Sequence, residues 1–133
     1  MAGPERFDAF ALMKAFRSDE SRLGDALTLF TEREDYGFVW LAYREDAVVG
    51  CASVGYAIST GAGGLTALVR DLYVVPDARR GGVATALLAA LEARLAALSI
   101  KRFEVAAGGD AGLLAFLAAR GFTIAAGLFA ANR

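Results

Sequence analysis

Histidine is absent from all 133 residues. Its absence removes Ser-His-Asp and Cys-His nucleophile systems and every zinc site built on imidazole. Any catalysis therefore falls to carboxylates, phenols, hydroxyls or backbone amides. Cysteine occurs once, at Cys51. A lone thiol closes no intrachain disulfide and supplies no Cys-x-x-Cys metal or redox pair, which favours a reducing, cytoplasmic setting and predicts no metal site. The plain expectation for Cys51 is a small buried apolar side chain. An excess of either charge is missing too: 14 basic and 15 acidic side chains leave a net charge of −1. That balance gives no electrostatic footprint for nucleic acid or an anionic membrane, and neither is expected as a partner. No signal-peptide core exists, because Glu5, Arg6, Asp8, Lys14 and Arg17 break up the apolar residues near the N-terminus. Residues 47–69 carry no charge over a length that would cross a bilayer. Gly50, Gly55, Gly61, Gly63 and Gly64 interrupt them, so the stretch reads as strand, turn and strand.

What the chain does have is core material. Hydrophobic residues make up 56% and charged residues 22%, enough to bury a sizeable core in one domain over residues 1–133. Phe7, Phe10, Met13 and Phe16 recur at roughly helical spacing and predict a short amphipathic helix. A second helix starts near Ser18, with Asp19 and Glu20 in its first turn and Leu23, Ala26, Leu27 and Phe30 as its apolar stripe. The β-prone residues 38–43 and 48–56, joined through Arg44, Glu45 and Asp46, predict a hairpin. A Gly-rich loop then leads to a third strand over residues 65–75, closed by Pro76. Leu87, Leu88, Leu91, Leu95 and Leu98 mark a long helix from about Arg80 to Leu98. Residues 102–106 predict a strand with Phe103 and Val105 on one face and Glu104 on the other. Asp110 is placed to cap a last helix that stops at Gly121, and one or two short strands follow. The order predicts an α+β, mixed α/β fold with helices packed on a sheet.

The chemistry concentrates in residues 71–88, where a buried strand feeds a tight basic, Gly-containing turn that opens directly into the long helix. The first turn of a helix leaves backbone N–H groups unpaired at the positive end of its dipole, and glycine lets a phosphate approach them closely. The pattern is neither Gly-x-x-x-x-Gly-Lys-Ser/Thr nor Gly-x-Gly-x-x-Gly. Arg79-Arg80-Gly81-Gly82-Val83-Ala84 instead fits Gln/Arg-x-x-Gly-x-Gly/Ala, after a strand ending Leu72-Tyr73-Val74-Val75-Pro76 and before an Ala/Leu helix. In this the chain resembles the GNAT superfamily of acetyl-CoA-dependent N-acetyltransferases from about Phe38 to Phe122.

The resemblance implies a mostly antiparallel central sheet with helices on both faces. It implies acetyl-CoA as cosubstrate, hydrogen-bonded to the backbone of Leu72, Tyr73 and Val74, its pyrophosphate on the amides of Arg79 through Ala84. Thr85 adds a hydroxyl, and Asp110 stands where members often carry Asn. Leu117 stands where members often carry a Tyr that protonates the departing thiolate, so that donor is missing. Members also usually open with a strand, whereas this chain turns to helix soon after Met1-Ala2-Gly3-Pro4.

For the base that takes the amine's proton there are two candidates: Glu104, on a strand where some related enzymes place a catalytic Glu, and Asp71, provided that its strand bulges. Tyr73 is an alternative acid. The resemblance puts the acceptor at the first two helices, their connection and the terminal strands, where Asp19, Glu20, Asp25, Glu32, Glu34, Asp35 and Tyr36 form a mildly acidic set compatible with a cationic amine. Aminoglycosides, polyamines, peptide N-termini, lysines and small amino acids all remain open. The leading expectation is direct acetyl transfer to a primary amine in a ternary complex. The alternative is a non-catalytic CoA-binding or interaction module, to which the loss of Tyr at position 117 points. An exposed strand edge near the C-terminus offers a homodimer surface.

Overall fold

The alternation seen in the sequence builds a long hairpin at the centre of the fold. The computed structural model describes residues 3–100, 102–107, 110–125 and 129–131. Helices α1 (Gly3–Met13) and α2 (Glu20–Glu32) come first, and strands β1 (Gly37–Arg44), β2 (Ala47–Ser59) and β3 (Gly64–Val74) follow. A 3-10 turn (Pro76–Ala78) leads to α3 (Val83–Ala97), β4 (Phe103–Ala106), α4 (Ala111–Ala119), β5 (Thr123–Ala125) and β6 (Phe129–Ala131). The strands lie in the order β1-β2-β3-β4-β6-β5. Every neighbouring pair is antiparallel except β3 with β4. The expected mixed α/β fold, mostly antiparallel with helices on both faces, is what forms. Among the described residues no helix is long and apolar enough to cross a membrane, and the uncharged stretch forms the β2–β3 hairpin.

Each face of the sheet has its own core. Leu88, Leu91, Leu95 and Leu117 of α3 and α4 pack on Val54, Val69 and Val105. On the other face Ala9, Leu12 and Met13 of α1 and Leu23 and Leu27 of α2 pack on Val39 and Cys51. Cys51 is fully buried, as expected, and burial pushes its thiol up to about 12.

Two details differ from expectation. Helix α1 turns Ala9, Leu12 and Met13 inward and leaves Phe7 72% exposed. Helix α3 begins at Val83 rather than near Arg80. Arg80 and Gly82 have φ of 66° and 84°, left-handed values that an α-helix cannot contain.

A bulge in β3 decides where the site lies. Register runs Ser53↔Asp71 on one side and Val54↔Val69 on the other, so Arg70 is an extra residue. Strict alternation from Val69 would put Asp71 in the core beneath α3. The extra residue reverses the parity, so that Asp71 faces α1 and α2 while Leu72 and Val74 face α3. Among the described residues the parallel pairing with β4 ends at Val69↔Val105, just before the bulge.

Candidate active site

The splayed end of β3 and the start of α3 enclose a cleft of about 700 Å³. Its far wall is Asp110, Gly112, Leu113 and Phe116 at the start of α4. Helices α2 and α4 are capped by carboxylates: Asp19 accepts from the Arg22 N–H and Asp110 from the Leu113 N–H, each at 3.0 Å. Helix α3 has no such side chain, since its N-cap is Gly82. The first helical bond is donated by Ala86 to the Gly82 carbonyl. The amides of Val83, Ala84 and Thr85 thus have no carbonyl one turn earlier to pair with, and they stand at the positive end of the helix dipole. A Cβ built on Gly82 meets nothing within 4 Å, so the space over this turn is open. Gly50 seats the helix: a Cβ there would lie 3.1 Å from Val83 Cγ1 and 3.2 Å from Leu87 Cδ1.

Arg79, Arg80, Gly82, Val83, Ala84 and Thr85 all line this cleft, with Leu72, Tyr73 and Val74. Arg79, however, is engaged elsewhere. Its amide donates to the Pro76 carbonyl at 3.2 Å, and its Nε donates to the Val74 carbonyl at 2.9 Å. Arg79 therefore braces the turn against β3, and the amides left without a carbonyl partner are those of the first residues of α3. Gly81 does not line the cleft; its missing side chain admits Arg44 from the end of β1, whose NH2 would lie 3.0 Å from a Cβ.

Backbone geometry supplies the second half of the cleft. The Val75 N–H donates to the Val49 carbonyl at 2.9 Å. In an antiparallel ladder such residues alternate, so Tyr73 also turns its backbone toward β2, while Leu72 and Val74 turn theirs away toward the cleft. A chain of amide groups laid along this strand edge finds the Leu72 and Val74 N–H groups and the Leu72 carbonyl turned toward it, the Val74 carbonyl being held by Arg79. Open amides, an unfilled space over Gly82 and a strand edge fit the phosphates and the amide-bearing arm of an acyl-CoA.

A second cavity, of about 390 Å³, opens on the opposite side of β3. Asp71 and Ser53 line it together with Phe16, Arg17, Leu23, Ala26 and Phe30 among others. Ser53 Oγ donates to Asp71 Oδ2 at 2.6 Å, and Arg17 pairs with Oδ1. The Asp71 side chain is 15% exposed and that of Arg17 is 52% exposed. Tyr73 stands between the two cavities: it lines the first and packs its ring 4.5 Å from Phe16, which lines the second.

Glu104 lies on the same sheet face as Asp71, opposite Leu68, but it is exposed and lines neither cavity. Leu117 is fully buried and has no hydroxyl to offer the cleft. Ser53, Arg17 and Arg44 were not singled out by sequence. Their signal is spatial: the Ser53–Asp71 pair follows from hairpin register, and Arg17 reaches Asp71 across 54 positions.

The model of the acetyltransferase (GNAT) family matches residues 8–122. None of the curated proteins matches the sequence. Among solved structures, an aminoglycoside 6'-N-acetyltransferase, AAC(6')-IG of Acinetobacter haemolyticus, is 25% identical. The similarity covers 93% of this chain and 88% of that one, with a TM-score of 0.76. A GNAT-family protein of Desulfovibrio desulfuricans is 16% identical over 98% of this chain and 92% of its own, with a TM-score of 0.78. The aminoglycoside N-acetyltransferase AAC(6')-Iy in complex with CoA is 15% identical over 93% and 85%, with a TM-score of 0.80.

Proposed function

The chain belongs to the GNAT acetyltransferase family, with acetyl-CoA as its acetyl donor, and from that premise we propose that it is a cytoplasmic N-acetyltransferase, one domain over residues 1–133, acting on a primary amine. The observation that carries this is the bulged end of β3, which puts Asp71 in one cavity and the backbone of Leu72 and Val74 in the other. The pyrophosphate rests on the amides of Val83, Ala84 and Thr85, with Arg80 and Arg44 as nearby cations. The pantetheine arm pairs with the β3 edge, and the Val74 N–H faces the thioester oxygen, where negative charge develops. Asp110 stays in its capping role at the wall of the cleft.

The acceptor enters the second cavity and displaces Arg17 from Asp71. Its ammonium first gives one proton to solvent, and the neutral nitrogen then bonds to the acetyl carbon as the carbon–sulfur bond breaks. The amine's proton goes to Asp71, and the CoA thiolate takes its proton from water, since position 117 supplies none. Much of the acceleration comes from holding the two reactants in line across β3.

Transfer is direct. Cys51, the sole thiol, is buried and holds its proton to about pH 12, which removes it as an acetyl carrier. Initial rates measured while varying both acetyl-CoA and amine are expected to give intersecting double-reciprocal lines. Parallel lines would instead require an acetyl-enzyme and would overturn this order of events.

A further inference from the structure

The cavity that ends on Asp71 has two kinds of wall. Phe16, Leu23, Ala26 and Phe30 present apolar surface, left over from the stripes that pack α1 and α2 on the sheet. The charged groups lining it are Arg17 and Arg22 against Asp19 and Asp71, equal numbers of each sign. Arg22 stands at the mouth beside Asp19, with its own side chain 89% exposed. A polycation entering here meets no excess of negative charge and is opposed by Arg17.

We propose that the acceptor is a free α-amino acid with an apolar side chain. This rests on the acetyl-transfer reading above and specifies its substrate. The ion pair between the half-exposed Arg17 and the largely buried Asp71 is the counterpart of a zwitterion: the amino group replaces Arg17 at Asp71, and the carboxylate replaces Asp71 at Arg17. Both charges of the pair find a partner when it opens, whereas a simple amine would pair with Asp71 alone and return Arg17 to solvent. The planar guanidinium holds a carboxylate through two parallel hydrogen bonds, which fixes the amine beside β3. The apolar side chain of the substrate lies against Phe16, Leu23 and Phe30. A cavity of about 390 Å³ is near the small end of ligand sites and suits a compact molecule of this kind. The products are an N-acetyl amino acid and CoA.

The test compares L-leucine with 3-methylbutylamine, L-phenylalanine with phenethylamine, and both pairs with kanamycin. Turnover is followed by CoA thiol release, and binding by calorimetry in the presence of CoA. Each amino acid is expected to exceed its decarboxylated amine at least tenfold in kcat/KM, chiefly through KM. Arg17→Gln should reduce that ratio to within threefold of unity, and Arg17→Lys, which restores the charge, should recover part of it. Preference for the amines or for kanamycin would overturn the proposal, as would an Arg17→Gln variant that affects acid and amine alike. Arg17-dependent binding of the amino acids without thiol release would uphold the ligand class and sink the acetyl-transfer reading. Turnover of amines with no binding of amino acids would do the reverse.

Discussion

Gly82→Glu is expected to raise the dissociation constant for acetyl-CoA at least 100-fold, equivalent to about 2.7 kcal/mol. The glutamate side chain occupies the open space over the first turn of α3 and brings a negative charge to the amides that hold the pyrophosphate. Its charge also complements the dipole as Asp19 and Asp110 do at α2 and α4, which offsets part of the strain that a φ of 84° puts on any side chain here. Gly82→Ala separates charge from strain. With φ at 84°, alanine there should destabilise the fold by about 1 kcal/mol, while binding weakens by less than tenfold because nothing charged enters the cleft. Calorimetric titration with acetyl-CoA, alongside thermal melts of the same samples, reads both effects.

Asp71→Asn should lower kcat by about 100- to 10,000-fold, the range lost when a positioned general base is removed. The amide keeps one oxygen to accept from Arg17, and its NH2 can donate to Ser53 Oγ in place of the bond Ser53 now donates, so the fold and the second cavity persist. Acetyl-CoA affinity should change less than threefold, because Asp71 lies across β3 from the cleft that holds the phosphates. Glu104→Gln, on an exposed side chain that lines neither cavity, should change turnover less than threefold. Parallel steady-state measurements on the two variants decide between the carboxylates, and the opposite ranking would move the base to Glu104.

The local signals were the legible ones. Capping by Asp110, the stop at Gly121 and the Arg79–Ala84 turn all depend on residues a few positions apart, and the structure follows them, while α2 starts slightly later than expected, with Asp19 as its cap rather than in its first turn. The start of α3 was misplaced because Arg80 is a good helix former by propensity, yet it takes a left-handed φ of 66° that sequence pattern does not reveal. Asp71 depended on a bulge whose existence is set by pairing between β2 and β3 rather than by any bulge residue type. Arg79 fits the phosphate signature by identity, but its Nε turns back to the Val74 carbonyl and its guanidinium lies over the Tyr73 ring, which only the folded turn brings within reach. Arg17 was read merely as a charge that interrupts an apolar stretch. Its partner is 54 positions away, and a long-range ion pair of this kind leaves no periodic trace. The exposed Phe7 shows the same limit, since a stripe at helical spacing does not say which of two neighbouring faces a helix will bury.

The central claim is that β3 brings a donor cleft and an acceptor cavity together for transfer between them. It is tested most directly by incubating the purified protein with acetyl-CoA and L-leucine and following free thiol and N-acetyl product in the same reaction. The account predicts one thiol released per N-acetyl group formed, with release dependent on the amine and lost in Gly82→Glu. Amine-independent thiol release, or tight acetyl-CoA binding with no N-acetyl product from any primary amine, would contradict it.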